Sequence, residues 1–399
     1  MALTISHTCA GIAPSVTLKL NAQVADMKRQ GIDVLNLGAG EPDFDTPAHI
    51  LDAAEAAMRS GKTRYTAVSG IPELRAALSE KVTRETGVSY TPDQVIVCNG
   101  AKQALVNALC AILDPGDEVI LPLPCWVSYP EMVRMAGGVP VTVASTLEQG
   151  FVPSAEQLRR AVTPRTKAII LNSPNNPTGA VWRRDQLQAA ADLAREYDFF
   201  IISDEIYDKL IFDGAEHVTV PSLSSDAAER TILVNGFSKS YAMTGWRLGY
   251  AVGPRPVIAA MSAYQSHATG NPCSVAQYAG LAALTGDQSC ISDMVQAFAR
   301  RRDVLVACAR EIDGVTFFDP KGAFYLLLNI SPAIGRRYHG QMIENSLDFA
   351  QLLLTHQHVS IIPGDAFGAK NCCRISYTRS EDVIREAMAR IRAFINELD

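Results

Sequence analysis

The chain has 399 residues, 48% hydrophobic and 20% charged, with a formal net charge of −6. That composition excludes a disordered chain, and the length exceeds one small core, so two domains are expected. The acidic balance, with no basic stripe, argues against nucleic acid as a partner, and no apolar stretch suits a membrane span.

Nine scattered cysteines include no C-x-x-C pair, which fits a reducing, cytoplasmic setting. The first residues have no basic n-region, so no signal peptide is expected. Helical spacing from about residue 17 to 30, closed by Gly31, predicts a first helix. A short strand over 33–37 then runs into Gly38-Ala39-Gly40-Glu41-Pro42. The third glycine of a dinucleotide loop is missing there, so a Rossmann reading fails, and no P-loop occurs elsewhere. Helices are predicted over 47–59 and 72–86, separated by a turn with Tyr65 and Gly70.

A strand over 95–98 leads into Asn99-Gly100-Ala101-Lys102 and a helix with Leu105, Leu109 and Ile112 on one face. Free amides at that helix start can hold an anion or belong to an ordinary turn. The strand over 118–121 is followed by a Pro-rich loop with Cys125 and Trp126, an indole suited to the core or to stacking on a planar ligand. Further strands are predicted at 139–143, at 168–171 before NSPNNPTG, at 199–202 before Ser203-Asp204-Glu205-Ile206-Tyr207, and at 231–234 before the loop with Lys239. Another is predicted at 248–252. Strands alternating with helices predict an α/β fold, a mostly parallel sheet sandwiched by helices. From about residue 293 a long helix leaves this body, its Arg300-Arg301-Arg302 run expected on a solvated face. Strands at 324–328, 359–362 and 374–377 and a last helix capped by Ser380 predict a smaller α+β domain.

Open sheets of this type bind ligands at the carboxyl ends of their strands. There the sequence puts Asn176, then Asp204 and Tyr207, then Lys239. Each has a bland role available: Asn176 can serve a turn, Asp204 can cap a helix, Tyr207 can line a rim, and a loop lysine is usually solvated. Together with Trp126, Arg247 and the anion-binding helix start they form the donor set that pyridoxal phosphate needs. A lysine forms an imine with its aldehyde, and a carboxylate keeps the pyridine nitrogen protonated so that the ring accepts electrons. An arginine fork with helix amides suits the phosphate.

The motifs AGEPDFDTP, KQAL, VSYPEM, LNSPNNPTG, SDEIY, SKSYAMTGWRLGY, GAFY and RISY, with the Tyr65 turn, run almost end to end. In that order they resemble the class I, fold-type-I aminotransferases, specifically the bacterial branch of aspartate aminotransferases. The resemblance implies pyridoxal 5'-phosphate joined to Lys239, which also moves a proton between substrate Cα and cofactor. It implies Asp204 on the ring nitrogen, Asn176 and Tyr207 on the phenolate oxygen, and Trp126 against the ring. Arg247, Ser238 and the amides of Gly100, Ala101 and Lys102 are implied at the phosphate. Tyr65 resembles a tyrosine that reaches a neighbouring subunit's phosphate, implying a homodimer with shared active sites. Arg374 resembles the arginine that grips the substrate α-carboxylate, with Gly40, Trp126 and Asn176 beside it. Lys102 and Thr17 are implied in reading a distal carboxylate. Residues 41–292 would form the large cofactor-binding domain, and 1–40 with 293–399 a small domain closing over the substrate. No metal is implied.

The implied reaction moves the amino group of an L-amino acid, aspartate in first place, to 2-oxoglutarate by a ping-pong mechanism. A different or broader amino donor (aromatic, prephenate or arogenate) and a pyridoxal-phosphate-dependent lyase use the same lysine and aspartate and stay open. A cofactor-sensing regulator would carry a DNA-binding segment before this fold, whereas here the fold is entered directly at Met1. Three positions depart from the family pattern: Cys125 for a tyrosine, Ala101 for a glycine and Ser238 for an alanine. Cys125 is expected to leave space close to the cofactor.

Overall fold

The computed structural model describes residues 4–14 and 16–399, with the side chains of 7, 8 and 16–18 outside the described set. Its main sheet has seven strands: β1 (Val95–Cys98), β2 (Glu118–Pro122), β3 (Val139–Val143), β4 (Thr166–Asn172), β5 (Phe200–Asp204), β6 (Thr231–Gly236) and β7 (Gly249–Val252). Their order across the sheet is β1-β7-β6-β5-β4-β2-β3. Four pairings are parallel, and β7 runs antiparallel to both its neighbours, so the sheet is mixed but mostly parallel, as the strand–helix alternation predicts. Edge strand β1 reads VIVC and the inner strands β4 and β6 carry AIIL and ILV, because helices cover both faces and both side-chain sets are buried. β3 carries Pro140, and its partly exposed pattern is what an edge strand permits.

Helix α1 (Pro72–Thr86) begins with proline at its first position and ends at Gly87 in the left-handed region. Helix α2 (Ala101–Ile112) turns Leu105, Leu109 and Ile112 toward the sheet. Between helices, two fully buried glutamines hold the 66–71 turn. Gln277 accepts from the Ile71 amide at 2.7 Å, and Gln265 donates to the carbonyls of Val68 and Val97 at 2.8 and 2.9 Å. They satisfy backbone groups that would otherwise be buried unpaired.

Beyond the main sheet, β8 (Tyr325–Asn329) and β9 (Cys372–Ser376) pair antiparallel in a four-stranded sheet. Helices α3 (Ser289–Arg310) and α4 (Glu381–Asn396) pack on each other beside it. The Ser380 hydroxyl accepts from the Val383 amide and starts α4, whose Ile384, Ala387, Ile391 and Phe394 are buried. The N-terminal strand Leu35–Asn36 pairs in parallel with Val359–Ser360 as a separate two-stranded sheet, and the Leu37 carbonyl accepts from the Ser376 amide of β9 at 2.8 Å, which ties the segment leading to Gly38 and Gly40 to the four-stranded sheet.

The arginine run on α3 departs from expectation. Arg300 is exposed, but Arg302 is buried, bonded to Asp213 at 2.8 Å and to Asp303. Arg301 meets Asp43 at 2.6 Å and covers the rings of Phe44 and Phe298. Carboxylates distant in sequence draw these cations inward, a pairing that a local charge pattern does not reveal. Among the described residues no helix is long and apolar enough to cross a membrane.

Candidate active site

β2, β4, β5 and β6 end at the same edge of the sheet, and a cavity of about 360 Å³ opens there. Asp204 is the last residue of β5, Tyr207 follows in the next turn, and Lys239 comes three residues after β6. Asn176 sits in the loop after β4, where its amide donates to Asn172 Oδ1 at 2.9 Å. From the smaller sheet, β9 brings Arg374 and β8 brings Tyr325. Gly40, Ala101, Lys102, Trp126, Ser238 and Arg247 complete the sequence-predicted residues at the cavity.

Lys239 Nζ donates to the Gly40 carbonyl at 2.5 Å. Burial, against an opposing pull from Glu41 and with help from Arg374 and Arg247, brings its amine down to about 8. Burial pushes Asp204 up to about 6, although its carboxylate accepts from the Tyr129 hydroxyl at 2.6 Å and the Ile206 amide at 3.3 Å. Tyr129 itself is held well above the ordinary phenol range by burial and by Asp204, so it stays a neutral donor. Tyr207 and Tyr325 share a hydrogen bond of 3.0 Å between hydroxyls.

A cradle forms where α2 starts. Gly100 has φ 81, and a Cβ on it would lie 2.6 Å from an Arg247 nitrogen. A Cβ on Gly249 would lie 2.3 Å from the Ala101 nitrogen, so β7 can pass the helix start only as glycine. The first amides of α2 have no intrahelical acceptor and face an anion readily. Gln103 accepts from the Asn99 amide at 2.6 Å and braces the turn. Lys102 Nζ lies 4.8 Å from the Trp126 ring centre, its pKa lowered by burial and by Arg247.

Arg374 is buried with no carboxylate partner among the described residues. Its Nη1 donates to Asn176 Oδ1 at 2.9 Å and its Nη2 to the Gly38 carbonyl at 2.8 Å, while its buried Nε has no partner. Tyr325 and Phe367 flank the guanidinium at 4.4 and 5.0 Å.

Two expected residues stand apart. Tyr65 is 99% exposed and does not line the cavity of its own chain. The Thr17 side chain lies outside the described residues. Cys125 departs from expectation too: it packs in the core among α2 and β2 residues and leaves no space at the cavity wall. Burial pushes its thiol up to about 12, so it is a small core residue with no thiolate character near neutrality. Tyr129, Tyr325 and Phe367 are site residues that the sequence pattern does not mark. Tyr129 and Tyr325 lie inside VSYPEM and GAFY, but their partners Asp204 and Tyr207 are 75 and 118 residues away.

The family model "Aminotransferase class I and II" matches residues 32–391. The chain belongs to the class I and II aminotransferases. An aspartate/prephenate aminotransferase of Cereibacter sphaeroides is 49% identical, covering 98% of each chain. An aspartate aminotransferase of Bacillus sp. (strain YM-2) is 46% identical over 96% of this chain and 97% of its own. Among solved structures, the Thermus thermophilus aspartate aminotransferase with maleate superposes with TM-score 0.93 at 46% identity, covering 98% of this chain and all of that one. The Rhizobium meliloti aspartate aminotransferase gives 0.96 at 43% identity, with full coverage of both.

The fold is therefore that of a fold-type-I, pyridoxal-phosphate-dependent, aspartate aminotransferase-like enzyme. The cavity fits that cofactor on its own chemistry. It offers an amine near 8, a buried carboxylate without a cation bonded to it, and a helix-start cradle with no room for a Cβ.

In this aminotransferase the cofactor-free chain bears a cost at Asp204. Its folded-state pKa of about 6 lies above the ordinary value near 4, so ionisation is disfavoured on folding. The cost is absent below pH ~4, grows between ~4 and ~6, and is complete above, at roughly 3 kcal/mol. Asp204→Asn is therefore expected to stabilise the cofactor-free chain at pH 7.5 by up to about 3 kcal/mol in urea unfolding. Unchanged or lower stability would contradict the cause assigned to the shift.

Proposed function

We propose that the chain transfers the amino group of an acidic L-amino acid, aspartate first, to 2-oxoglutarate in a ping-pong cycle. The observation that carries this reading is the charge around the cavity: Lys102, Lys239, Arg247 and Arg374 line it, against Asp204 as the one lining acid among the described residues. Such an excess suits a phosphate dianion together with a dicarboxylate. The names of the relatives, and maleate in the Thermus structure, support the same substrate class.

Pyridoxal phosphate, when bound, supplies an aldehyde that condenses with amines and a ring that accepts the electrons of the breaking Cα–H bond. Lys239 is the amine that would join it, and its Nζ, with a pKa near 8, suits a base for the Cα proton. Asp204, backed by Tyr129, would keep the ring nitrogen protonated. Asn176 and Tyr207 would serve the ring oxygen, and Trp126 the ring face. Arg247, Ser238 and the amides of Gly100, Ala101 and Lys102 would hold the phosphate. Arg374 takes the substrate α-carboxylate with Gly40 beside it, and the Lys102 ammonium, with Thr17, reads the distal one.

The working unit is a homodimer, a reading supported by Tyr65, fully exposed on a turn that Gln265 and Gln277 hold in place. Residues 1–40 and 293–399 act as one small domain against 41–292, supported by the parallel pairing of Leu35–Asn36 with Val359–Ser360. A cytoplasmic location is supported by nine cysteines that are all free. A second reading adds prephenate to the acceptors. It is supported by the name of the Cereibacter relative, and prephenate also carries two carboxylates.

Lys102→Ala tests the acidic-substrate reading. The variant is expected to lower kcat/KM for aspartate by about 10- to 100-fold, the range of one partly buried ion pair, and for alanine by less than about twofold. Steady-state rates with the two donors decide it. Equal losses for both would remove Lys102 from distal recognition, and alanine as the better wild-type donor would move the substrate class.

A further inference from the structure

A second set of buried charges lies against the Lys239 loop, outside the cavity lining. Asp208 follows Asp204 by four residues, and its side chain is 6% exposed. One carboxylate oxygen lies 3.7 Å from Lys81 Nζ and 3.6 Å from Lys209 Nζ. The other is 3.5 Å from the hydroxyl of Ser240, the residue after Lys239, and Asn235 lines the same small cleft as this carboxylate. Lys81, on α1 and 11% exposed, also meets Glu85 at 2.7 Å and the Tyr250 hydroxyl on β7 at 3.2 Å.

One carboxylate thus joins the turn that carries Asp204 and Tyr207 to Ser240, beside Lys239, and one ammonium ties that joint to α1 and β7. Burial works against both charges. The neighbouring lysines and His217 outweigh it for Asp208, and Tyr250, Asp208 and Glu85 outweigh it for Lys81. An apolar pair of similar volume would serve the core at least as well, so stability alone gives little reason for a buried ion pair here. Geometry gives a better one, because about 1 Å of misplacement at a reacting group costs on the order of 100-fold.

We propose that Asp208 and Lys81 are positioning residues that fix Lys239 relative to Asp204, acting through Ser240. The proposal rests on the reading of Lys239 as the amine that joins the cofactor.

Asp208→Asn, Lys81→Met, Lys81→Arg and Ser240→Ala holoenzymes would be compared with wild type. The readouts are hydrogen exchange, pH titration of the bound-cofactor absorbance, and steady-state kinetics. Asp208→Asn and Lys81→Met are expected to speed exchange in peptides 204–210 and 235–243 about tenfold, with β8 and β9 unchanged. The absorbance midpoint should move by about half a pH unit or more. The kcat should fall about tenfold with KM for aspartate within roughly threefold, because Arg374 and Lys102 are untouched. Lys81→Arg, which keeps the charge, should recover most of each change.

A lowered Tm with local exchange, midpoint and kcat all as in wild type would make the cluster a stability element and overturn the proposal. Should Asp208→Asn fail to fold, Ser240→Ala decides, since it removes a single hydroxyl: shifts in the same direction support the proposal, and wild-type values overturn it. Lys239→Ala separates the two layers. If it titrates like wild type, the reading of Lys239 is wrong; if it loses the titration while Asp208→Asn keeps the wild-type midpoint, the positioning role alone fails.

Discussion

Lys239→Ala is expected to lower transamination by at least about 10⁴-fold, the upper range for removal of one positioned acid–base group. The effect should be this large because the same side chain has two tasks, joining the cofactor and moving the Cα proton. Lys102, the other lysine at the cavity, sits over Trp126, so it is placed to substitute for neither task. The substitution deletes an amine that burial already disfavours and a single bond to the Gly40 carbonyl, so the fold should persist. Borohydride reduction followed by peptide mass analysis checks the first task, with the cofactor mass expected on the Lys239 peptide. Near-normal turnover in the variant, or the mass on another lysine, would overturn the assignment.

Arg374→Leu is expected to lower kcat/KM for every α-amino acid by about 30- to 3,000-fold, corresponding to roughly 2–5 kcal/mol for one partner of a buried charge pair. The guanidinium is already positioned between two rings and two oxygen acceptors, so little ordering remains to be done on binding. The loss should fall equally on aspartate and alanine, unlike that of Lys102→Ala. Arg374→Lys should recover little, because an ammonium cannot present a planar fork to a carboxylate. A loss confined to aspartate would mean that Arg374 reads the distal carboxylate.

Much of the fold was legible from strand ends. Runs such as IILN before NSPNNPTG and FIISD before EIY have to be buried strands that stop at turns, and the parallel sheet follows from the helices between them. Asn176, Asp204 and Lys239 stood out because each is a polar residue just after such a run. Tyr129 did not, because a tyrosine at the start of a helix looks like any half-buried ring until the end of β5 is placed beneath it. Tyr325 lies on β8 and Phe367 in the short helical turn Gly364–Phe367, and a lone aromatic in either place looks like core. Arg302 looked solvated because Asp213, which draws it inward, lies 89 residues earlier. Gln265 and Gln277 lie in a stretch whose polarity only argued against a membrane span, and their acceptors and donors come from the 66–71 turn. In each case the signal was a pairing across the fold, which residue type and period do not encode. Cys125 shows the converse, since a smaller residue than the family pattern leads one to expect space that core packing removes.

The most direct test of the account is a half-reaction screen. The holoenzyme would be mixed with single L-amino acids, without any oxo acid, and conversion of the bound cofactor's absorbance followed in time. The account predicts rapid, complete conversion with aspartate and glutamate, slower conversion with alanine, and reversal when 2-oxoglutarate is added. Conversion confined to aromatic or basic amino acids, or release of ammonia or carbon dioxide with no need for an oxo acid, would contradict it.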